Sequence, residues 1–326
     1  MEQYNIKTKV VGVDISNELM TYAIVDVRGN ILAEDSFPTT DYPDVNNFVT
    51  ALSEKIVMLV EANGGYETIR SIGVSSPSAS PVSGCIENAA NLPWKGVVPL
   101  SAMLRDRIGL AVGLSNDAHV SALGEYTFGS AHGMRNFIIV SLGVGIGSCF
   151  FAEGEEHQGN LGYAGEFGHT CVEDNGRLCG CGHRGCLEAY VGAVGIVNTA
   201  KELMAESDAP SLMRNLEKLS PRTIAECCDN GDEMAIEVYR RTGYALGLGL
   251  ANYASIVDPE AIILTGGISH AGKWISDPTY ESFENHVFGN LRGKVKLITS
   301  QLNDRERDVL GASALAWSVP EYSLFK

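Results

Sequence analysis

The sequence predicts an α/β protein built as two similar domains. Three observations carry that prediction. Strand–turn–helix units recur in two blocks, one opening near residue 10 and the other near residue 131. The chain has 326 residues, and at about 100–200 residues per domain that length accommodates two. Apolar residues make up 45% of it, enough to fill a packed core in each.

The elements follow in order. VVGVDI (10–15) and MTYAIVDV (20–27) are rich in β-branched and aromatic residues and read as strands. Asp26-Val27-Arg28-Gly29-Asn30 reads as a hairpin turn into ILAEDSF, so the chain opens with a β-meander. Over residues 44–62, Val45, Phe48, Val49, Leu52, Ile56, Leu59 and Val60 repeat at helical spacing. IRSIGVSS (69–76) is a short strand, 99–108 a short helix, LAVGLSN (110–116) a strand, and Ala118 to Phe128 a helix rising from Asp117. In the second block NFIIVSLGVGIG (136–147) is a strand ending in a glycine-rich turn, and CFFAEGEE continues the sheet. Helices are expected at 189–205, 211–217, 221–228 and 232–256, the last stopped by Asp258-Pro259, because proline lacks a donor and restricts its predecessor. AIILTGG is a strand into a Gly-Gly turn; KVKLITS and a helix near 309–317 close the chain.

Charge narrows the function. Lys and Arg number 24 and Asp and Glu 40, a formal charge of −16 with no local basic patch, so nucleic acid is not an expected partner. No apolar run reaches the ~18 residues of a membrane span, and MEQYNIKTK lacks the apolar stretch of a signal peptide. The expected location is the cytoplasm, with no membrane partner.

His169, Cys179, Cys181 and Cys186, spaced 10, 2 and 5 apart, combine three soft thiolates with one imidazole. That is a closed tetrahedral set suited to Zn²⁺, with no open position, so the ion would be structural rather than hydrolytic. Gly176, Gly180, Gly182 and Gly185 let a short loop wrap around it. Free buried cysteines without metal are the plainer alternative. Cys171 and His183 are spare ligand candidates; Cys85, Cys149, Cys227 and Cys228 read as packing residues.

The stretch AGEFGHTCVEDNGRLCGCGHRGCLEAYVG, ending at Gly192, resembles the signature of the ROK family, the sugar kinases and sugar-sensing repressors of the actin/hexokinase-like superfamily. VGVDI with its hairpin, IENAANLPWKG (86–96), Asn116-Asp117-Ala118, LGVGIG and DPEAIILTGGIS match in order, so the likeness spans essentially the whole chain. It implies two actin-like ATPase (ribonuclease H-like) domains around a central cleft: a small one of residues 1–117 plus 305–326, and a large one of 118–304 with the zinc loop. It also implies transfer of a phosphoryl group from ATP, with Mg²⁺, to a hexose or N-acylhexosamine, at O6. Family members commonly form homodimers.

The resemblance assigns roles residue by residue. Asp117 falls on the catalytic base, although its bare sequence context reads as a helix N-cap. Asn116 falls on a residue that hydrogen-bonds a sugar hydroxyl. Glu166 and Glu188 match acidic residues that accept bonds from ring hydroxyls, against the plainer reading of Glu188 as a solvent-facing helix residue. His169 matches a residue that joins zinc to sugar. Asn91 shapes the sugar pocket, Ser76 and Ser78 flank the sugar, and Trp94 packs. Asp14 matches the carboxylate that positions Mg²⁺. Gly143, Gly145 and Gly147 match the second phosphate turn, and Gly266 and Gly267 the adenosine-side turn; each glycine alone is equally a plain tight turn.

The departures concentrate on the phosphate grips. Where the family's first loop reads Asp-x-Gly-Gly-Thr, this chain has Asp14-Ile15-Ser16-Asn17-Glu18. Positive φ there becomes costly unless Asn17 adopts it, and Glu18 brings a negative charge. The second loop's Gly-Thr-Gly is Gly143-Val144-Gly145, and Gly-x-Pro-Gly near the sugar is Ser75-Ser76-Pro77-Ser78. Three readings follow: a working sugar kinase; a sugar-binding protein of kinase fold with lost or weak transfer; and a repressor. The repressors carry a DNA-binding domain of ~70–80 residues ahead of the sugar domain; in this chain the first strand starts near residue 8 and the net charge is acidic, so that reading ranks last.

Overall fold

The protein is described by a computed structural model that covers residues 7–89, 92–160 and 163–320, the side chains of 304 and 305 excepted. It divides into two compact units, with breaks after His132 and after Ser300.

The first unit is built on a five-stranded sheet. β1 (Lys9–Ile15), β2 (Leu19–Asp26) and β3 (Ile31–Pro38) form the expected antiparallel meander, while β4 (Ile69–Ser75) and β8 (Ala111–Ser115) run parallel to β1. The strand order is β3-β2-β1-β4-β8. β1 is apolar at nearly every position because both faces are covered. Val11, Val13 and Ile15 pack on one side with Phe48, Leu52 and Ile56 of α1 (Val45–Ala62), whose N-cap is Asp44, and with Leu104 of α2 (Leu100–Ile108). Trp94 packs here as expected, 4.3 Å from Phe48 between ring centroids, its indole N–H donating to the Tyr42 carbonyl. A small sheet of β5 (Ala79–Ser80), β6 (Cys85–Glu87) and β7 (Val97–Val98) lies in the same unit and has no counterpart in the sequence reading.

The other face of the sheet takes α9 (Asp304–Ser318), with α3 (Asp117–Phe128) packed on it. Gly12, Gly73 and Gly113 are register partners on β1, β4 and β8 and form a stripe without side chains. The helix backbone lies so close that a Cβ on Gly73 would sit 1.9 Å from the Ala312 carbonyl oxygen. α9 begins at 304, not near 309, because its first turn is charged and shows no apolar period; Asn303 caps it by accepting from Glu306 N–H. α3 belongs to this unit through its contact with α9, so the break falls after 132 rather than after 117.

The second unit has a sheet of β9 (Phe137–Leu142), β10 (Ile146–Ala152), β11 (Glu155–Glu156), β12 (Ala261–Thr265) and β13 (Lys296–Thr299), in the order β11-β10-β9-β12-β13. The expected strand 136–147 is two: Gly143 to Gly145 turn the chain, and Gly147 already pairs with Ser141 inside β10. Gly147 is therefore a strand residue and not part of the turn. The helix expected at 189–205 is split by extended backbone at Gly192 into α4 (Glu188–Val191) and α5 (Ala193–Glu206). The segment expected as a helix at 211–217 is only a 3-10 turn over Leu212–Asn215. α6 (Pro221–Asp229) carries a Ser220 capping box, and α7 (Glu233–Val257) ends where Asp258 turns left-handed. Helix α8 (Lys273–His286) carries Pro278 in its interior, packed onto Gly243 of α7, where a Cβ would lie 2.6 Å from the proline Cγ. No helix among the described residues is long and apolar enough to cross a membrane.

Candidate functional site

In the first unit the site residues come from strand register. Asp14 on β1 is opposite Ser75 on β4, and Ser75 is opposite Ser115 on β8, so three polar side chains stand in a row near the carboxyl ends of parallel strands. Those ends are where open α/β sheets bind ligands. Two residues on, Asp117 opens α3. The N-cap is Asn116, whose side-chain oxygen accepts the Ala118 N–H at 2.9 Å, and Asp117 Oδ1 accepts the same N–H at 2.8 Å. Asn116, expected at a sugar hydroxyl, thus has its oxygen engaged in the cap, which leaves its amide N–H groups and the oxygen's second lone pair to offer.

Burial pushes Asp14 up to about 6, and the negative charge of Asp117 adds to the rise; the Ser75 hydroxyl and the Arg307 guanidinium oppose it. Desolvation also raises Asp117, although the residue as a whole is exposed, with the Ala118 N–H and His119 pulling the other way. Two neighbouring carboxylates with raised pKa values make a region that favours a cation or a proton. Arg307, almost fully buried on α9, escaped the sequence reading because the helix was expected to start after it. Its signal was the charged run DRERD.

The remaining candidates in this unit fare differently. Ser76 is fully buried; its N–H donates to Ser115 O and its hydroxyl to Pro77 O, so it does not present a hydroxyl to solvent. Ser78 holds a left-handed φ of 55°, where the family pattern has glycine. Asn91 lies outside the described residues. In the β1–β2 turn the Ser16 hydroxyl donates to Leu19 O at 2.7 Å, and Asn17 keeps a negative φ rather than replacing a glycine's conformation.

The second unit assembles the cysteine cluster. The ligand atoms of His169, Cys179, Cys181 and Cys186 all lie within 4.8 Å of one another. Cys181 and Cys186 are 3.6 Å apart at sulfur, and Cys179 Sγ is 3.7 Å from His169 Nδ1. A Zn–S bond of about 2.3 Å implies a tetrahedral edge of about 3.8 Å, so the set has the size and chemistry to hold a tetrahedral metal ion. Cys171 and His183, the spare candidates, are not part of the set. His169 turns Nδ1 to the cluster and Nε2 to Glu166, 3.8 Å from its carboxylate, which is exposed. Ser148 on β10 donates a short bond to the carbonyl of Gly165, anchoring the chain just ahead of Glu166.

Glu188 is not a solvent-facing helix residue. Its Oε2 accepts the Ile146 N–H at 3.0 Å, at the end of the Gly143–Gly145 turn, and Oε1 lies 3.7 Å from Cys179 Sγ. Gly145 lies close beside it: a Cβ there would come within 2.5 Å of Glu188 Oε2 and push the carboxylate aside. The two glycine turns meet at a cavity of about 580 Å³, lined by Gly143 and Gly267 together with Ser220, Pro221, Tyr239 and His270 among others. Gly266, at φ 83°, packs against Leu142 at the end of β9. The contribution of α6 to this cavity was missed; Ser220-Pro221 marked a helix start but nothing in the sequence marked its neighbours.

A family model described as the ROK family matches residues 10–319. The chain is 33% identical over 315 residues to a glucokinase of Streptomyces coelicolor, spanning 94% of this chain and 96% of that protein. It is 31% identical over 314 residues to a glucokinase of Thermotoga maritima, spanning 95% and 97%. Among solved structures it is similar to a ROK family glucokinase from Streptomyces griseus in complex with glucose and AMPPNP, with a TM-score of 0.76, 29% identity, and coverage of 95% of this chain and 100% of that one.

Proposed function

The chain belongs to the ROK family and has its actin-like two-unit α/β fold, and on that premise we propose that it is an ATP-dependent kinase that phosphorylates a hexose or N-acylhexosamine at O6. The observation that carries the reading is the placement of Asp117 just beyond the Asp14–Ser75–Ser115 row, at the carboxyl ends of parallel strands.

In the reaction Asp117 accepts the proton of the sugar hydroxyl, the oxygen forms a bond to the γ-phosphorus, and the bond to the ADP oxygen breaks. The raised pKa of Asp117 strengthens it as a base. Asp14 positions the magnesium complex of ATP as it arrives as substrate. The cavity lined by Gly143 and Gly267 takes the nucleotide, with backbone N–H groups near phosphate oxygens. Glu166, His169 and Glu188 bind the sugar hydroxyls. His169, Cys179, Cys181 and Cys186 would hold a structural zinc ion, whose contribution is to cross-link the loop that carries them. The reading extends to a homodimer in the cytoplasm.

One observation favours a second reading, sugar binding with weak or lost transfer. The β1–β2 turn closes on itself through Ser16 and carries Glu18 exposed, so it presents a carboxylate and no flexible glycine pair. Hexose-dependent ADP release over glucose, mannose, N-acetylglucosamine and N-acetylmannosamine decides between them. Release with one of these sugars is expected; sugar binding without ATP binding selects the second reading.

A further inference from the structure

Arg177 lies in the cysteine loop, two residues ahead of Cys179, and its side chain is mostly buried. Nη1 donates to the carbonyls of Ala189 and Gly195 at 3.3 and 3.1 Å. Nη2 donates to Thr199 Oγ1 at 3.0 Å and pairs with the Glu202 carboxylate. The guanidinium stacks 4.8 Å over the ring of Tyr190, and the Arg177 N–H donates to the Tyr190 hydroxyl at 2.7 Å. Its carbonyl meanwhile accepts from Gly185, closing the loop on the side of Cys186. Gly176 is required there, since a Cβ would lie 2.0 Å from the Tyr190 hydroxyl. Ala189 and Tyr190 are the two residues directly after Glu188 in α4.

We propose that Arg177 is a positioning residue that clamps the metal loop onto α4 and α5 and so fixes where the Glu188 carboxylate stands. One planar fork serves four acceptors on α4 and α5, a task the point charge of lysine cannot perform. Glu188 touches Cys179 on one side and the glycine turn on the other, so a loop released from α4 shifts the carboxylate that meets the sugar. The inference rests on the reading of Glu188 as a hexose ligand.

The test uses the metal-loaded protein with Arg177→Met, Arg177→Lys and Glu202→Gln. Three quantities are read: metal release to a chromogenic chelator, hexose dissociation constant measured without ATP, and the hexose KM against kcat. Arg177→Met is expected to speed metal release and weaken hexose binding by about tenfold or more, with kcat within about threefold. Arg177→Lys and Glu202→Gln fall between it and wild type, and they decide the matter should Arg177→Met fail to fold. A folded Arg177→Met that melts at lower temperature yet releases metal and binds hexose as wild type does overturns the proposal, leaving Arg177 a structural residue. Wild-type protein that binds no hexose overturns the functional reading instead, and is recognised before any variant is compared.

Discussion

Gly73 and Ala312 meet backbone to backbone: a Cβ on Gly73 would lie 1.9 Å from the Ala312 carbonyl oxygen and 2.7 Å from Ala316 N. The contact seats α9 on the sheet and brings Arg307 to the side of Asp14. Gly73→Ala cannot be relieved by a rotamer change, because the obstacle is main chain. It is expected to cost about 3 kcal/mol or more, from forced overpacking and backbone displacement, read as a fall in the urea midpoint. A loss below about 1 kcal/mol would show that α9 sits loosely enough on the sheet to move aside.

The carboxyl of Asp14 predicts a pH-dependent stability difference. Its folded pKa of about 6 lies above its ordinary value of 3.8, so between these the folded protein holds a proton that the unfolded chain gives up. Stability from this group is fully present below pH 3.8 and is lost as pH rises through about 6. Asp14→Asn, which cannot ionise, should melt above wild type at pH 7.5, by about 2 °C or more, and the gap should close towards pH 4. A gap that widens on acidification contradicts the sign.

The cysteine cluster should be linked to sugar affinity. If the four residues hold a metal ion as proposed, chelation or Cys181→Ser would remove the cross-link joining His169 to the loop that touches Glu188. Hexose affinity measured by calorimetry is expected to weaken about tenfold or more. Metal-free, folded protein that binds hexose at full strength would separate the cluster from the sugar.

The proposed nucleotide cavity can be tested without disturbing the proposed sugar site. Gly267 lines it, and a Cβ there meets nothing within 4 Å, so the fold has room for a side chain. Gly267→Val projects into the cavity and should raise the KM for ATP by about tenfold, by steric exclusion, with hexose affinity unchanged. An unchanged KM for ATP would place the nucleotide elsewhere.

Local pattern made much of this legible in the sequence, and long-range pairing accounts for most of what was not. The apolar repeat over 44–62 and the strand run at 10–15 are properties of neighbouring residues, and both elements stand close to where they were expected. The four-ligand cluster was readable because one short segment carries three of its members, and glycine spacing permits the wrap. The sequence marked a helix opening at Gly266-Gly267 but not its extent as α8, because Pro278, which usually breaks a helix, lies inside it and is accommodated against Gly243. Arg307 was hidden because a charged first turn has no apolar period. The alignment of Asp14 with Ser75 and Ser115 depends on parallel register between segments tens of residues apart, which periodicity does not encode. Glu188 was assigned by resemblance, but its bond to Ile146 N–H required the fold.

The most direct test of the central claim is the rate of hexose-dependent ADP release by wild type and Asp117→Asn under saturating MgATP. Turnover is predicted in the wild type and a fall of about 100-fold or more in the variant, the size of a lost general base, with hexose affinity kept. Turnover that survives undiminished in Asp117→Asn would contradict the assignment of Asp117 as the base, and with it the proton transfer on which the proposed reaction depends.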